Sequence, residues 1–294
     1  MKFSHKHIIK FQDSILSVYN FFNFFLNFKP NEIRVLIYHH IEKKEYHKFY
    51  KQLFFIKKKW NFITPKQFED HINKKIKLKG KNILLTFDDG FSSNFSIENK
   101  VLSKLKIKSI FFVPSDFVII NSSKKARLFI KNNILDQNIP SDFNSIKNMS
   151  IKNLKQLIKK GHTIGAHTKT HANLGLIKNK KKLYNEMVFS LRQLEKNLET
   201  KINHFAFTYG NYESMSKNSL KIAFKHYKYV YSSLRGGNYS NKKNEIIKRD
   251  AIYLEHGNKL LTVFVNGITD LKYFIHILKI NKLIKYLKNK HEFK

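Results

Sequence analysis

Short apolar runs alternate along this chain with longer segments whose apolar residues recur at helical spacing. The apolar runs are rich in β-branched and aromatic residues and predict strands. They cover residues 33–38, 82–87, 109–113, 163–166, 204–208, 228–232 and 260–265. In an intervening segment Phe49, Leu53 and Ile56 share one helical face. Strands that alternate with helices in this way predict a parallel sheet.

About seven strand–helix units fit a closed or nearly closed α/β barrel better than an open sheet. No Gly-rich phosphate loop or dinucleotide fingerprint follows any of the predicted strands. We therefore expect one catalytic domain over residues 31–270, an N-terminal helical extension over 1–30, and a basic C-terminal helix and tail over 271–294. The long polar connection over 116–149 is expected to build the substrate rim.

The charge of the chain limits its partners. Lys and Arg number 56 against 21 Asp and Glu, a formal net charge of +35. Such a charge attracts anionic glycans, membrane surfaces and nucleic acids at modest ionic strength. Because the lysines are scattered and accompany no nucleic-acid-binding motif, no specific nucleic-acid partner is expected. A base-composition bias that fills neutral surface positions with lysine explains the same excess.

An apolar, aromatic stretch over residues 15–28 is interrupted by Asn20, Asn23 and Asn27. It is too short and too polar for an ordinary membrane span, and no small-residue cleavage site follows it. Three interpretations stay open: a helix docked on the domain, an interfacial membrane helix, and an uncleaved export signal. The expected location is cytoplasmic or peripheral at the inner membrane surface, with export as the alternative.

Two adjacent aspartates and a glycine directly follow an apolar strand in the segment LLTFDDG, residues 84–90. Neighbouring carboxylates repel each other, so a pair at the mouth of a barrel needs a compensating cation or proton. Successive strand residues point in opposite directions, which lets one aspartate bind a metal while the other faces a bound water. Considered alone, the segment also fits a surface Asp-Asp-Gly turn.

Two histidines follow another predicted strand, in the segment GAHTKTH, residues 165–171. His167 and His171 lie on one face if the segment turns helically, a spacing that suits one metal ion. No cysteine is present, so any metal must use histidine and carboxylate ligands. One carboxylate with two imidazoles leaves coordination positions open for water and substrate. The sequence therefore predicts a metal site.

The segments TFDDG, residues 86–90, and HTKTH, residues 167–171, together resemble the motifs of polysaccharide deacetylases with a NodB homology domain, carbohydrate esterase family 4. The resemblance implies a distorted (β/α)7 barrel. It also implies that Asp88 is the general base and that Asp89, His167 and His171 bind a divalent metal. That metal is most often zinc, with cobalt and nickel as alternatives.

Further segments extend the resemblance over residues 31–270. The segment VLIYH, residues 35–39, is similar to the opening strand of the family, and WNFITP, residues 60–65, to the stretch before its next helix. The segment FAFTYG, residues 205–210, is similar to its third motif, where a backbone N–H near Tyr209 stabilises the oxyanion. Thr208 replaces the usual proline, and the arginine that orients the base in some members is absent. Arg249 is a candidate for that orienting role or for a substrate contact.

The last motif of the family is Leu-x-His, whose histidine acts as general acid. Leu254 and His256 match it, which makes His256 one candidate for the acid. His39 is the competing candidate, and its alternative role is that of a buried, hydrogen-bonded strand residue. Tyr209 and Tyr212 are expected to stack on sugar rings, with simple packing as the alternative.

These residues predict a hydrolase that removes N-acetyl, or alternatively O-acetyl, groups from an amino-sugar glycan or from a lipid- or nucleotide-linked precursor. Asp88 would take a proton from water, and a protonated histidine would give one to the departing amine. A carbohydrate-binding barrel with little or no turnover is the alternative function, suggested by Thr208 and the unsettled general acid. The complete set of base and ligands argues against it, because unneeded buried carboxylates are destabilising.

Overall fold

A computed structural model describes residues 31–135, 141–239 and 245–290 of the chain. The expected N-terminal extension over residues 1–30 lies outside the described residues. The strands are β1 Asn31–Tyr38, β2 Asn61–Phe62, β3 Gly80–Phe87, β4 Ser109–Val113, β5 Thr163–Ala166, β6 His204–Ala206, β7 Tyr229–Tyr231, β8 Ile246–Ile247 and β9 Asp250–Ala251.

Helices connect and flank these strands. The α-helices are α1 Tyr46–Lys57, α2 Pro65–Ile72, α3 Ser92–Ile97, α4 Ser103–Leu105, α5 Ser115–Val118, α6 Ser123–Phe129, α7 Ile151–Lys159, α8 Lys180–Tyr184, α9 Ser190–Leu198, α10 Lys217–His226, α11 Asn258–Val265 and α12 Phe274–Asn289. The π-helical segments are Glu98–Leu102, Ile130–Ile134 and Asn185–Phe189, and the 3-10 segments are Lys43–Glu45, Phe143–Ser145, Tyr212–Ser214 and Ile268–Tyr273.

Within the described ranges, no helix by itself has the length and apolar character needed to cross a membrane. The helix α11 and the helical segment Ile268–Asn289, which meet at a bend of 55°, are together long and apolar enough to cross one, by length and composition only.

All paired strands run parallel, in the order β8-β7-β6-β5-β4-β3-β1-β9, and β2 pairs with β3. The two ends of this order, β8 and β9, are separated in the chain only by Lys248 and Arg249. One short segment, residues 246–251, therefore joins β7 to β1 and curls the sheet round on itself.

The predicted strand over residues 260–265 is wrong, because these residues belong to the helix α11. Most of the segment is apolar and buried, and such a run does not distinguish a buried strand from a buried helix. The sheet instead ends with β9, whose two residues are too few to give a strand pattern in the sequence. The long connection over 116–149 is also partly helical, since it contains α6 and most of α5.

Strand side chains alternate between the inside of the barrel and the surrounding helices. Val35, Leu84, Phe112 and Tyr231 belong to one buried cluster, and the rings of Phe112 in β4 and Tyr231 in β7 meet across the barrel at 5.0 Å. Their chain neighbours, among them Leu36, Leu85 and Phe111, pack with the helices in a larger cluster. Leu84 of β3 points inward and Phe87 outward, so Asp88, the next residue, points toward the inside of the barrel.

Arg34 of β1 is fully buried among the groups that fix the last strand. Its guanidinium donates two hydrogen bonds to Asp250 of β9, at 2.9 and 2.7 Å. It donates two more to Asp270, at 2.7 and 3.0 Å, and one to the carbonyl oxygen of Phe264 at 3.1 Å. These bonds attach β9 and the end of α11 to β1.

Replacing Arg34 with methionine should reduce the free energy of unfolding by about 3–5 kcal/mol, because the buried carboxylate of Asp250 loses its main partner. Urea denaturation measures this loss. The control is Lys155→Met, which breaks an exposed pair with Glu199 and should cost less than about 1 kcal/mol. Equal losses for the two variants would contradict the structural role of Arg34.

Candidate active site

The carboxyl ends of the parallel strands β1, β3 and β5 place polar side chains at one mouth of the barrel. Asp88 and Asp89 follow β3, His39 follows β1, and His167 follows β5. Each of these strands ends in a buried and mostly apolar run, so the polar groups of the site come together only where the strands end.

Asp89, His167 and His171 form a buried cluster with metal-ligand character. Asp89 Oδ1 lies 3.5 Å from His167 Nε2 and 3.2 Å from His171 Nε2. One ligand atom from each residue lies within 4.8 Å of the other two, and all three residues are buried. The structure therefore brings together the three residues that the sequence predicted as ligands, at distances that one ion could span.

Each histidine of the cluster is oriented through its other ring nitrogen. His167 Nδ1 lies 2.8 Å from the carbonyl oxygen of Ala206, and His171 Nδ1 lies 2.7 Å from that of Asn133. A carbonyl oxygen only accepts, so Nδ1 carries the proton in both rings. In the neutral histidines this leaves the Nε2 lone pairs pointing at the cluster, as metal ligation requires.

The electrostatics of the cluster favour an ionised carboxylate. Burial raises the pKa of Asp89, but hydrogen bonds from His167 and His171 outweigh burial and hold this pKa well below its usual range. Burial lowers the pKa of His171, and the hydrogen bond and charge of Asp89 reverse this, so the pKa of His171 is raised. An ionised aspartate is the form that binds a cation, and a metal would compete with protons for the imidazoles.

The site is built on strained backbone. Asp89, Thr168, His171 and Tyr209 have φ angles of 73°, 64°, 64° and 61°, in the left-handed region that residues with a side chain rarely adopt. Such conformations persist only where the surrounding structure holds them. Their concentration at one mouth of the barrel indicates that the positions of these side chains are fixed at an energetic cost.

Arg249 holds Asp88 in a two-pronged ion pair. Its Nη1 and Nη2 atoms donate to the two carboxylate oxygens of Asp88 at 2.8 and 2.9 Å. The guanidinium is itself fixed by a bond from Nε to the carbonyl oxygen of Ser232 at 2.8 Å and by the Phe112 ring at 5.0 Å. Arg249 thus holds the carboxylate of Asp88, as the sequence suggested, although it lies between β8 and β9 and not in the third motif, residues 205–210.

A cavity of about 320 Å³ opens above this cluster. Its lining includes a charged and polar group, an apolar group and a histidine with three tyrosines: Asp88, Asp89, His167, His171 and Arg249; Ile37, Ile134, Phe207 and Leu234; and His39, Tyr209, Tyr253 and Tyr273. This volume is at the lower end of the range for small-ligand sites and suits a single small group rather than a long polymer.

Two residues predicted for the site lie elsewhere. His256 does not line the cavity, and its ring packs edge-on against Phe264 with centroids 4.7 Å apart. Tyr212 is stacked on His276 of α12 at 5.5 Å instead of facing the cavity. His39 and Tyr209 do line it, so of the two candidate acids only His39 stands at the cavity. The catalytic roles of all these residues stay predictions.

Glu186 supports the turn between the two histidines and was not singled out in the sequence. This buried carboxylate accepts from the backbone N–H groups of Lys169 and Thr170 at 3.1 and 2.9 Å, and from the Thr170 hydroxyl at 2.9 Å. It lies in the π-helical segment Asn185–Phe189. Nothing in its local sequence marks it, because the contact depends on folding the helix onto the turn.

Thr208, the departure from the family pattern, also has a structural role. Its hydroxyl donates to the carbonyl oxygen of Ala172, next to His171 in the chain. A proline has no hydroxyl and could not make this hydrogen bond. Thr208 therefore connects the segment after β6 to the turn that carries His171.

Comparison with known proteins identifies the family. A family model described as polysaccharide deacetylase matches residues 75–229, slightly more than half of the chain. This chain belongs to the polysaccharide deacetylase family. The family and the enzyme class predicted from the sequence are thereby confirmed. No curated protein sequence matches the chain.

Solved structures of low sequence identity share the fold of this deacetylase. A Streptococcus pyogenes deacetylase, PplD, solved in complex with acetate, is 20% identical, covers 80% of this chain and 99% of its own, and has a TM-score of 0.63. IcaB from Ammonifex degensii is 20% identical, with coverages of 80% and 97% and a TM-score of 0.59. A de-N-acetylase from Aggregatibacter actinomycetemcomitans is 16% identical, with coverages of 80% and 100% and a TM-score of 0.61. The predicted distorted (β/α)7 barrel is confirmed.

Removing one ligand should weaken metal binding strongly. We expect Asp89→Asn and His171→Gln to lower the affinity for Zn²⁺ by at least about 100-fold, since changes even in supporting residues cost about 10–100-fold. Titration against a chromophoric chelator measures the affinity. His226→Gln, a substitution at a histidine outside the cluster, is the control and should bind as the unchanged protein does. Unaltered affinity in both ligand variants would rule out this cluster as the metal site.

Glu186→Ala should lower Zn²⁺ affinity by about 10–100-fold without removing a ligand, because the turn that holds His167 and His171 loses three hydrogen bonds. Glu186→Gln keeps one carbonyl oxygen as an acceptor and should recover part of the loss. Glu213→Ala, at an exposed position, serves as the control in the same titration. A loss of folding stability with full metal affinity would show that Glu186 acts on the fold alone.

Proposed function

We propose that this protein is a metal-dependent deacetylase that removes N-acetyl groups from an amino-sugar glycan or from a glycan precursor. The observation that carries the proposal is the arrangement of the cavity floor. Asp88, held by Arg249, stands beside the converging atoms of Asp89, His167 and His171. A base next to a three-ligand site with open positions is the arrangement that metal-assisted hydrolysis of an amide needs.

The ligand set supports zinc as the metal, with cobalt and nickel as alternatives. Two imidazole nitrogens and one carboxylate suit borderline cations better than magnesium or calcium, which favour oxygen ligands. The oriented Nε2 atoms fit such an ion. When bound, the ion would supply positive charge that polarises the acetyl carbonyl and lowers the pKa of a water.

The residues of the chain then perform the proton transfers. Asp88 accepts the proton of the attacking water, and Arg249 keeps both oxygens of its carboxylate in a fixed plane. Asp88 Oδ2 lies 3.9 Å from His167 Nε2, so the base is next to the ligand set without belonging to it. Both aspartates are buried, which keeps bulk water away from the reacting groups.

The departing amine needs a proton donor, and His39 is the donor that we propose. It lines the cavity, whereas His256 packs behind the wall against Phe264. Tyr209 is 53% exposed at the mouth, close to His171, and offers a ring face on which a sugar can stack. A backbone N–H near Tyr209 is proposed to stabilise the oxyanion, following the family resemblance.

Acetate release from a panel of N-acetylated glycans, with Zn²⁺ or Co²⁺ added, tests this function. Asp88→Asn should retain metal but lower the rate of acetate release by about 10²–10⁴-fold, because the water loses its base. O-acetylated substrates in the same panel distinguish N- from O-deacetylation. Tight metal binding with no acetate release from any substrate would instead favour the alternative, a carbohydrate-binding barrel without turnover.

A further inference from the structure

Four apolar side chains are exposed side by side near the C-terminus. Leu271 is 83% exposed, Phe274 55%, Ile275 64% and Leu278 50%. They are spaced three and four residues apart, so they share one face of α12 and of the turn that precedes it. We call these four residues the apolar ridge.

The apolar ridge is not part of the face with which α12 packs on the protein. That face carries Ile280, Ile284 and Leu287, all buried in the large core cluster. Residues on the exposed side lie about half a helical turn away from these positions. The helix thus has two apolar surfaces, and only one of them is used by the fold.

Lysines continue the exposed side of the helix beyond the apolar ridge. Lys282 and Lys285 follow Leu278 at four and seven residues and are exposed, and Lys272 and Lys279 are exposed beside the ridge. An apolar patch bordered by cations matches the boundary of an anionic bilayer, where acyl chains lie beneath negatively charged headgroups.

The segment that carries the apolar ridge also forms part of the wall of the active-site cavity. Tyr273, between two ridge positions in the turn before α12, lines the cavity. His276 of α12 stacks on Tyr212, whose loop also carries Tyr209. Tyr253, another residue of the cavity wall, is 44% exposed, and such partly exposed tyrosines suit the headgroup layer.

We propose that the apolar ridge and its lysines dock this protein on an anionic lipid surface, with the cavity mouth next to the headgroups. A second copy of the chain fits less well, because a two-fold contact would bring lysines of both copies together. The docking goes beyond the proposed function and does not depend on it. Only the consequence rests on the proposed function: the substrate would be a glycan held at the membrane surface.

Vesicle co-sedimentation of the full chain tests the docking. Vesicles containing phosphatidylglycerol should bind the protein, and phosphatidylcholine alone should bind it far more weakly. Changing all four ridge residues to serine should reduce binding by about 30-fold or more. Lys282→Gln with Lys285→Gln should reduce it by about 25-fold, at about fivefold for each lysine. The control is Phe54→Ser with Leu128→Ser, which removes exposed apolar side chains outside the ridge.

Two alternatives, a different membrane-binding segment and a contact between two copies of the chain, would give different results. If Phe21→Ser, Phe22→Ser and Phe25→Ser abolish vesicle binding while the ridge variant keeps it, residues 15–28 hold the membrane and the proposal is overturned. If the ridge variant changes a dimer to a monomer in sedimentation equilibrium and vesicles bind neither protein, the ridge is an interface between copies.

A site-specific probe gives a second measurement that does not depend on the stability of the ridge variant. Because the chain has no cysteine, Ile275→Cys accepts a single environment-sensitive fluorophore. Its emission should shift to shorter wavelength with phosphatidylglycerol vesicles, whereas a fluorophore at Lys155→Cys should not respond. No shift at residue 275 in vesicle-bound protein would overturn the proposal. Acetate release from a soluble substrate should be unchanged in the ridge variants, so a failure of docking and a failure of deacetylation are told apart.

Discussion

Two neighbouring ion pairs on the last short segment of the sheet, residues 246–251, hold both the closed sheet and the carboxylate of Asp88, the proposed base. Successive side chains of an extended segment point to opposite sides, so Arg249 points into the barrel and Asp250 points outward. Arg249 donates two hydrogen bonds to Asp88, and Asp250 accepts two from Arg34. All four groups are buried, so leaving any one of them unpaired is costly. The ion pair that closes the sheet therefore lies directly beside the ion pair that fixes the carboxylate of Asp88.

The left-handed turns at the mouth depend on contacts from outside the strands. Three bonds to Glu186 hold the turn between the histidines, and the hydroxyl of Thr208 reaches the residue after His171. These contacts compensate for backbone conformations that the residues would not adopt alone. A departure from the family pattern at residue 208 is thus compatible with a well-formed site, and does not by itself indicate lost activity.

The C-terminal segment links the site to a candidate docking surface. Its buried face extends the core, Tyr273 enters the cavity wall, and its outer side carries the apolar ridge with lysines next to it. The composition alone does not explain the net charge of +35. On this helix, however, lysines lie next to an apolar surface that the fold does not bury. A surface of this kind, beside a cavity with room for a small group, suits substrates presented at a boundary.

The sequence by itself determined the alternation of strands and helices and the residues of the candidate metal cluster. Periodicity and motif spacing are local, so the strands up to β7, except the two-residue β2, and the segments around Asp89 and His167 could be recognised without the structure. Only the tertiary structure decided that residues 260–265 form a helix, that Arg249 pairs with Asp88, and that His256 packs away from the cavity. These outcomes depend on which distant segments meet across the barrel, and a uniformly apolar run or a lone charged residue carries no information about its partner in space.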